Sequence, residues 1–288
     1  MLFGYYPGCS LHSTAAEYDA STRAVFQALN IPLKEVPDWN CCGATSGHSL
    51  NTYLSHSLAL RNLVLAEGVA PHLVVPCAAC YNALRSTQAF LESGEKEAKK
   101  LKEDINSFMG REYKGVLKVH HLLEVLGAPE VLSLLKEKQK VSLAGLKPAA
   151  YYGCLLTRPP KIVNFEANAE QPQLMDRLLK ALGAEPVSWS HKTECCGASL
   201  SIPAAEIVYE LVKKIVQAAV RAGANVLVTA CPLCQTNLDT RQPEGYNLPV
   251  LYISEILGLA LGISAPWLNK HIIDPSPVLK SCNLSLTA

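Results

Sequence analysis

Apolar residues fall in short dense runs separated by longer stretches in which they recur at helical spacing. Leu2-Phe3-Gly4-Tyr5-Tyr6 and His72-Leu73-Val74-Val75 have the length and continuity of buried strands, whereas residues 15–29 and 50–67 carry an apolar face at helical period. The second half of the chain reads the same way. Strand-like runs occur at Ala150-Tyr151-Tyr152 and at 225–229, with helical patterns over 173–182 and 204–222. Strands alternating with helices predict βαβ units and therefore an α/β fold with a parallel sheet in each half. One apolar stretch, Leu251 to Ile263, has 13 residues and contains Glu255. A bilayer needs about 20 residues, so this stretch is expected to pack as a strand or helix in a core, with no membrane insertion.

The similarity of the two halves is a repeat. Cys41-Cys42-Gly43-Ala44 returns as Cys195-Cys196-Gly197-Ala198, and Leu73 to Cys80 returns as Leu227 to Cys234, both 154 positions later. Tyr6-Pro7-Gly8-Cys9 is matched by Tyr151-Tyr152-Gly153-Cys154, and Val119 to Glu124 by Val250 to Glu255. The pattern predicts two homologous halves, residues 1–145 and 146–288, related by pseudo-twofold symmetry and joined near the polar stretch 138–148. The first copy is longer after its Cys-x-x-Cys. Its excess lies around the mixed-charge segment 92–103, which is expected to form a solvated helix on the surface.

Composition narrows the function. With 288 residues, 49% hydrophobic and 18% charged, the chain can build cores and shows no sign of disorder. Lys plus Arg (26) balances Asp plus Glu (25), so no strong field favours a nucleic acid. The opening MLFGYYPGC lacks both a basic region and a long apolar run, which leads to the expectation of a cytoplasmic protein. In a reducing compartment the 11 cysteines are better read as metal-binding or redox groups than as disulfides. Ten of them keep register in the repeat. The eleventh, Cys282, lies outside it and is expected to be a plain exposed or packed thiol.

Each half thus offers a set of five thiols: Cys9, Cys41, Cys42, Cys77 and Cys80, then Cys154, Cys195, Cys196, Cys231 and Cys234. Cys9, Cys77, Cys154 and Cys231 lie just past predicted strand ends, where open parallel sheets bind ligands. Helices beginning there would lower thiolate pKa values and favour a negatively charged cofactor. Zinc closes its shell with four ligands, and a cubane cluster also uses four cysteines, so five exceed either need by one. Two readings remain open on the residues alone: a cluster more extended than a cube, or a four-ligand site with a spare thiol. Two zinc-stabilised domains are the structural alternative.

The duplicated order Cys, Cys-Cys-Gly, Cys-x-x-Cys resembles the CCG domain of the heterodisulfide reductase B-subunit family over essentially the whole chain. The resemblance implies that each set ligates a noncubane [4Fe-4S] cluster, so that the ten cysteines are catalytic through their clusters, with zinc at one site as a variant. Gly43 after the first Cys-Cys departs from the form common in methanogen proteins of the family. The resemblance further implies a complex with a flavin-containing subunit and a small ferredoxin-like iron–sulfur subunit, acting on a small disulfide or thiol such as the coenzyme M–coenzyme B heterodisulfide. A cleft between the halves would let each cluster capture one sulfur of the cleaved bond. The second reading is a non-catalytic electron-transfer or zinc-binding scaffold within a larger redox complex. No Gly-rich dinucleotide fingerprint is present, consistent with electrons arriving from partners.

Candidates for holding an anionic substrate are His48, Arg158, His191 and Lys192, with His12 and Lys161 also close in sequence to the cysteine loops; surface or capping roles are the alternative for each. Trp39 and Trp189 precede the two Cys-Cys pairs and are expected to pack the cluster loops and exclude water. At least one of His120 and His121, beside an apolar run, is expected in the core.

Overall fold

The computed structural model describes residues 2–44 and 46–284; the final residues of the second half, 285–288, lie outside the described part. Two all-parallel sheets form, one per half. The first has strands β1 (Phe3–Tyr5), β2 (Leu33–Glu35), β3 (His72–Val75) and β4 (Lys118–His121) in the order β2-β1-β3-β4. The second has β5 (Pro148–Tyr151), β6 (Val226–Thr229) and β7 (Val250–Tyr252) in sequential order. β1, β5, β6 and β7 are buried along their whole length, as strands covered by helices on both faces require. The second sheet has no partner for β2 among the described residues. There Glu185 and Val187 donate to the carbonyls of Leu146 and Pro148 without forming a strand.

The helices predicted over 15–29, 173–182 and 204–222 are observed at Ala16–Ala28, Leu174–Ala181 and Ala205–Arg221. The pattern at 50–67 is split. Asn51 accepts a hydrogen bond from Leu54 N and starts a new helix, Thr52–Glu67, after the short Ser46–Leu50 turn. The mixed-charge insertion forms Lys96–Met109, later than 92–103, because Gly94 at φ +72° breaks the chain from the preceding Ala78–Glu92 helix. It is not wholly solvated: Ala98 and Leu101 are buried on the side that meets the Thr52–Glu67 helix. The 251–263 stretch is both of its alternatives, the end of β7 followed by the buried helix Ile253–Ala260.

The halves are locked by reciprocal exchange. The Ile253–Ala260 helix of the second half packs on Ala16–Ala28 of the first, while Leu122–Leu126 of the first packs on Leu174–Ala181 of the second. These are matched elements, so each half supplies the same helix to the other, which is pseudo-twofold packing. In one copy of the contact Tyr18 and Tyr252 stack with ring centres 4.1 Å apart, beside a 2.6 Å hydrogen bond between the hydroxyls of Ser21 and Ser254. Both exchanged helices have a glutamate in the first turn that accepts from the N-cap N–H, Glu124 from His121 and Glu255 from Tyr252, and the His121 ring also accepts from Leu123 N. Buried hydrophobic residues of both halves join one continuous core. Among the described residues, no helix is long and apolar enough to cross a membrane.

Candidate metal centres

The ten repeated cysteines lie at the C-terminal edges of the two sheets. Cys77 and Cys231 are the N-cap residues of the helices Ala78–Glu92 and Pro232–Thr240, which follow β3 and β6. Cys80 and Cys234 sit in the first turns of those helices, where exposed backbone N–H groups favour negative charge. Cys9 and Cys154 follow β1 and β5, and the two Cys-Cys pairs ride on loops.

The glycine before each first cysteine is required by geometry. Gly8 and Gly153 hold φ at +72° and +70°, and a Cβ there would stand 2.9 Å from Cys80 Sγ and 3.1 Å from Cys234 Sγ. The chain must therefore pass without a side chain directly against the second sulfur of the Cys-x-x-Cys. The loops are fixed by a matched pair of tyrosines. Tyr6 donates to the carbonyl of Asn40 at 2.7 Å and Tyr151 to that of Glu194 at 2.6 Å, each the residue before a Cys-Cys pair. Trp39 packs edge-on against Tyr6, and Trp189 lies tilted against Tyr151 with its indole N–H on the Ala150 carbonyl.

Within the first set, Cys9 and Cys41 sulfurs are 3.8 Å apart and those of Cys42 and Cys80 3.2 Å apart. In the second, Cys196 and Cys234 are separated by 3.4 Å, and Cys154 reaches Cys195. Across the pseudo-twofold axis the Cys77 and Cys231 thiols lie close enough to shift each other's ionisation, so the two sets adjoin. Among the described residues, no three His, Cys, Asp or Glu side chains surround one point as ligands of a single ion.

Crowding sets the thiol electrostatics. Hydrogen bonds from Cys42 and Cys9 pull Cys41 down to about 2, and a hydrogen bond from Cys154 pulls Cys195 down to about 6. The same bonds act in reverse on the donors: Cys42 is pushed up to about 12, mainly by Cys41, and Cys9 and Cys154 are pushed well above the usual thiol range. Cys80 and Cys234 are raised by their bonds to Cys42 and Cys196 and by burial. In the first set only Cys41 ionises readily and the other four thiols resist, whereas in the second Cys231 is lowered along with Cys195, by hydrogen bonds with Cys234 and Cys77, while Cys154 and Cys234 resist; thiolates a few ångströms apart in a low dielectric repel. Positive charge placed among the sulfurs removes that resistance, so the donor set suits a polynuclear iron–sulfur centre.

Between the sets lies His121. It is fully buried, its Nδ1 accepts from Leu123 N at 3.2 Å, and so the proton sits on Nε2, which faces the carbonyls of Pro76 at 3.0 Å and Ala230 at 3.2 Å. Those residues immediately precede Cys77 and Cys231. Burial holds the imidazole at about 4, hence neutral. Sequence reasoning expected at least one of His120 and His121 in the core, and the fully buried one is His121; it missed the bridge, since the two carbonyls it joins are far apart along the chain.

A pocket of about 120 Å³ opens over the second set, lined by Cys154, Cys195, Cys196, Cys231 and Cys234, with Ala44, Ala78 and Ala79 coming from the first half. The sequence-derived substrate candidates divide around it. His48 lines an adjoining cleft of about 260 Å³ together with His56 and Asn82. Arg158 turns to Glu170 and to the Thr193 carbonyl, and Lys192 is buried against Asp176 at 2.7 Å, so both charges are already neutralised within the protein. His191 bonds Ser190 and stacks on Trp189, His12 meets Glu35 and Trp39, and Lys161 is exposed. Cys282 is half-buried and packs against Gly145.

The cysteine-rich CCG domain profile matches residues 3–85 and again 149–239. The 8-methylmenaquinol:fumarate reductase membrane anchor subunit of Wolinella succinogenes is 34% identical over 284 residues, covering 94% of this chain and 97% of that protein. The B subunit of the ferredoxin/F420H2-dependent CoB-CoM heterodisulfide reductase of Methanosarcina acetivorans is 32% identical over 276 residues, covering 90% and 89%. The chain belongs to the heterodisulfide reductase B-subunit family, with a duplicated CCG domain. A protein of Archaeoglobus profundus described as like the heterodisulfide reductase B subunit is 29% identical over 271 residues, 90% of each chain. A hypothetical protein from Helicobacter pylori shares the fold, with a TM-score of 0.74 at 12% identity; the alignment covers 95% of this chain and 52% of that one. The glycines, tyrosines and paired thiols of the site fall within the two stretches matched as CCG domains.

Proposed function

We propose that the protein is the iron–sulfur catalytic subunit of a heterodisulfide reductase-type complex in the cytoplasm. The observation that carries this reading is a pocket lined by all five thiols of the second set and by Ala44, Ala78 and Ala79 of the first half, where the two sets adjoin. Reduction of RS–SR′ takes two electrons and two protons and yields RSH and R′SH, while an iron–sulfur cluster delivers electrons singly. Two adjoining sets, each holding a noncubane [4Fe-4S] cluster, offer one iron site to each departing sulfur. A flavin-containing subunit supplies the electrons through a ferredoxin-like one, and the coenzyme M–coenzyme B disulfide is the candidate substrate by relation to the Methanosarcina proteins.

A second reading, electron transfer without disulfide chemistry, is favoured by the Wolinella relative's description as a membrane anchor subunit. Exposed apolar side chains follow both Cys-Cys loops, Leu50 and Leu54 in one half and Ile202 and Ile207 in the other, and would suit contact with another protein of the complex or a membrane surface.

Anaerobically purified protein is expected to contain about eight iron and eight acid-labile sulfide per chain; zinc with little iron would sink the cluster assignment and support a scaffold. In the assembled complex, Cys42→Ala and Cys196→Ala should each abolish thiol release from the mixed disulfide. Full activity in either variant refutes the two-cluster scheme, and an iron-replete complex that releases no thiol supports the second reading.

A further inference from the structure

Clefts flank the thiol pocket on both sides, one of about 420 Å³ reached by Arg241 and the one holding His48 and His56. Among the described residues His121 lines none of these spaces, yet it joins the two halves immediately behind the thiols.

Both of its ring nitrogens are engaged. Nδ1 accepts from Leu123 N, and the single Nε2 hydrogen is shared between the carbonyls of Pro76 at 3.0 Å and Ala230 at 3.2 Å. A fully buried ring with no free nitrogen neither ligates a metal nor passes a proton to a substrate, so it acts on the site through those two carbonyls. Each carbonyl belongs to the peptide unit that enters a cysteine. Cys77 and Cys231 are in turn the N-cap residues of the helices that carry Cys80 and Cys234. One hydrogen therefore ties the start of one Cys-x-x-Cys helix to the start of the other.

The ring is held from both sides. Tyr81 of the first half meets it edge-on with ring centres 5.6 Å apart, and Phe165 of the second half does so at 6.1 Å. Its own backbone N–H donates to Glu124 at 2.6 Å, and the Leu122–Leu126 helix that follows packs on Leu174–Ala181 of the other half. The bridge is not a by-product of the twofold repeat. Tyr252 occupies the matching position, but its hydroxyl turns to Gln235 Oε1 at 3.4 Å and its ring stacks on Tyr18. The Tyr18 hydroxyl donates to the Pro76 carbonyl at 3.1 Å, a bond that stays within the first half.

We infer that His121 is a positioning residue that fixes the separation of the two cluster sites, by tying the turn that enters Cys77 to the turn that enters Cys231. The inference rests on the two-cluster reading above and adds to it what keeps two iron sites matched to the two sulfurs of one S–S bond. Reacting groups must be held to within about 0.5 Å of their productive places. A displacement of about 1 Å, caused by a change remote from the chemistry, costs about a hundredfold in rate.

The test uses the anaerobic, iron-loaded complex, with iron content, the two midpoint potentials and the electron paramagnetic resonance splitting between the two centres as readouts. His121→Phe keeps the ring and its edge-on contacts but removes the shared hydrogen. It should retain iron, shift both the splitting and the gap between the potentials, and release thiol about a hundredfold more slowly. His121→Gln places an NH2 group where the ring carries Nε2, one hydrogen for each carbonyl, and should restore the wild-type splitting. Tyr18→Phe is the control: it removes a bond from the same Pro76 carbonyl and should lower Tm by about 2–4 °C with the splitting unchanged. Should His121→Phe fail to load, His121→Asn decides, since its shorter amide cannot span both carbonyls and must shift the splitting. Wild-type splitting in the iron-loaded Phe or Asn variant overturns the inference, as does a Gln variant that behaves like Phe or a Tyr18→Phe protein whose splitting moves. Thiol release separates the two levels. Turnover with an unshifted splitting in His121→Phe refutes the positioning role alone, whereas a shifted splitting in a complex whose wild type releases no thiol refutes the reductase reading and leaves the role of His121 standing.

Discussion

Replacing Gly8 with alanine places a methyl carbon 2.9 Å from Cys80 Sγ on a backbone held at φ +72°. Two penalties follow. The left-handed conformation costs a residue with a Cβ about 1–2 kcal/mol. The contact must also open to an ordinary separation of 3.4 Å or more, which moves the sulfur or the loop by about 0.5 Å. Metal sites tolerate ligand distances to only about 0.2 Å, so the first set should lose its metal while the second keeps its own. Gly110→Ala separates the two effects, because Gly110 has φ +59° with nothing within 4 Å of the added carbon. That control should lose about 2–8 °C in Tm by calorimetry and retain full iron. Gly8→Ala should show a comparable thermal loss together with iron and acid-labile sulfide reduced to about half. A Gly8→Ala protein with wild-type iron content and spectrum, alongside a control that shows only the thermal shift, would refute the close-approach argument. Gly153→Ala, 3.1 Å from Cys234 Sγ, is the matched experiment in the other half.

Other consequences are equally direct. Lys192→Met strips the buried partner from Asp176, leaving only the Tyr152 hydroxyl on that carboxylate, and should lower stability by about 3–5 kcal/mol in urea unfolding; a change below 1 kcal/mol would show that the pair is solvated. In protein freed of metal, iodoacetamide at pH 7 should label exposed Cys41 and Cys195 first. At pH 5 labelling of Cys195 should fall about tenfold while Cys41 is unaffected, because their pKa values lie near 6 and 2; parallel pH profiles for the two would contradict the assigned hydrogen bonds. His271 is buried beside Glu255 at 3.0 Å. Burial alone would lower its pKa, but the hydrogen bond and charge of Glu255 outweigh it, and the folded-state value is raised. Its stabilisation is fully present below the unfolded value of about 6.5 and is lost as pH rises through the higher folded value. The stability difference between wild type and His271→Gln should therefore shrink on going from pH 6 to pH 9, and a constant difference would count against the pair.

Several features were legible without coordinates because they are local or periodic. The strand at His72–Val75 and the helix at Ala205–Arg221 are written in apolar spacing, and the duplication is written in cysteines and glycines that return at a fixed offset. The short strands at Leu33–Glu35 and Lys118–His121 were not legible as such: three or four residues give too little periodicity, and both owe their conformation to neighbours in the sheet. The basic candidates near the cysteine loops illustrate a different limit. Proximity in sequence suggested Arg158 and Lys192, yet both charges are paired inside the protein, while Arg241 and His56 reach the clefts from helix positions distant from any Cys-Cys pair.

The sequence by itself determined the α/β class, the two-part repeat, the five-plus-five thiol inventory and the family resemblance, since each depends on residue identity and spacing along one chain. Only the tertiary structure decided that the Cys77 and Cys231 thiols adjoin, that His121 spans the two backbones behind them, and that Arg241 lines one flank of the pocket region and His48 and His56 the other. Those facts arise from the exchange of helices between the halves. That exchange is driven by burial of faces such as Tyr18 against Tyr252 and joins residues more than a hundred positions apart.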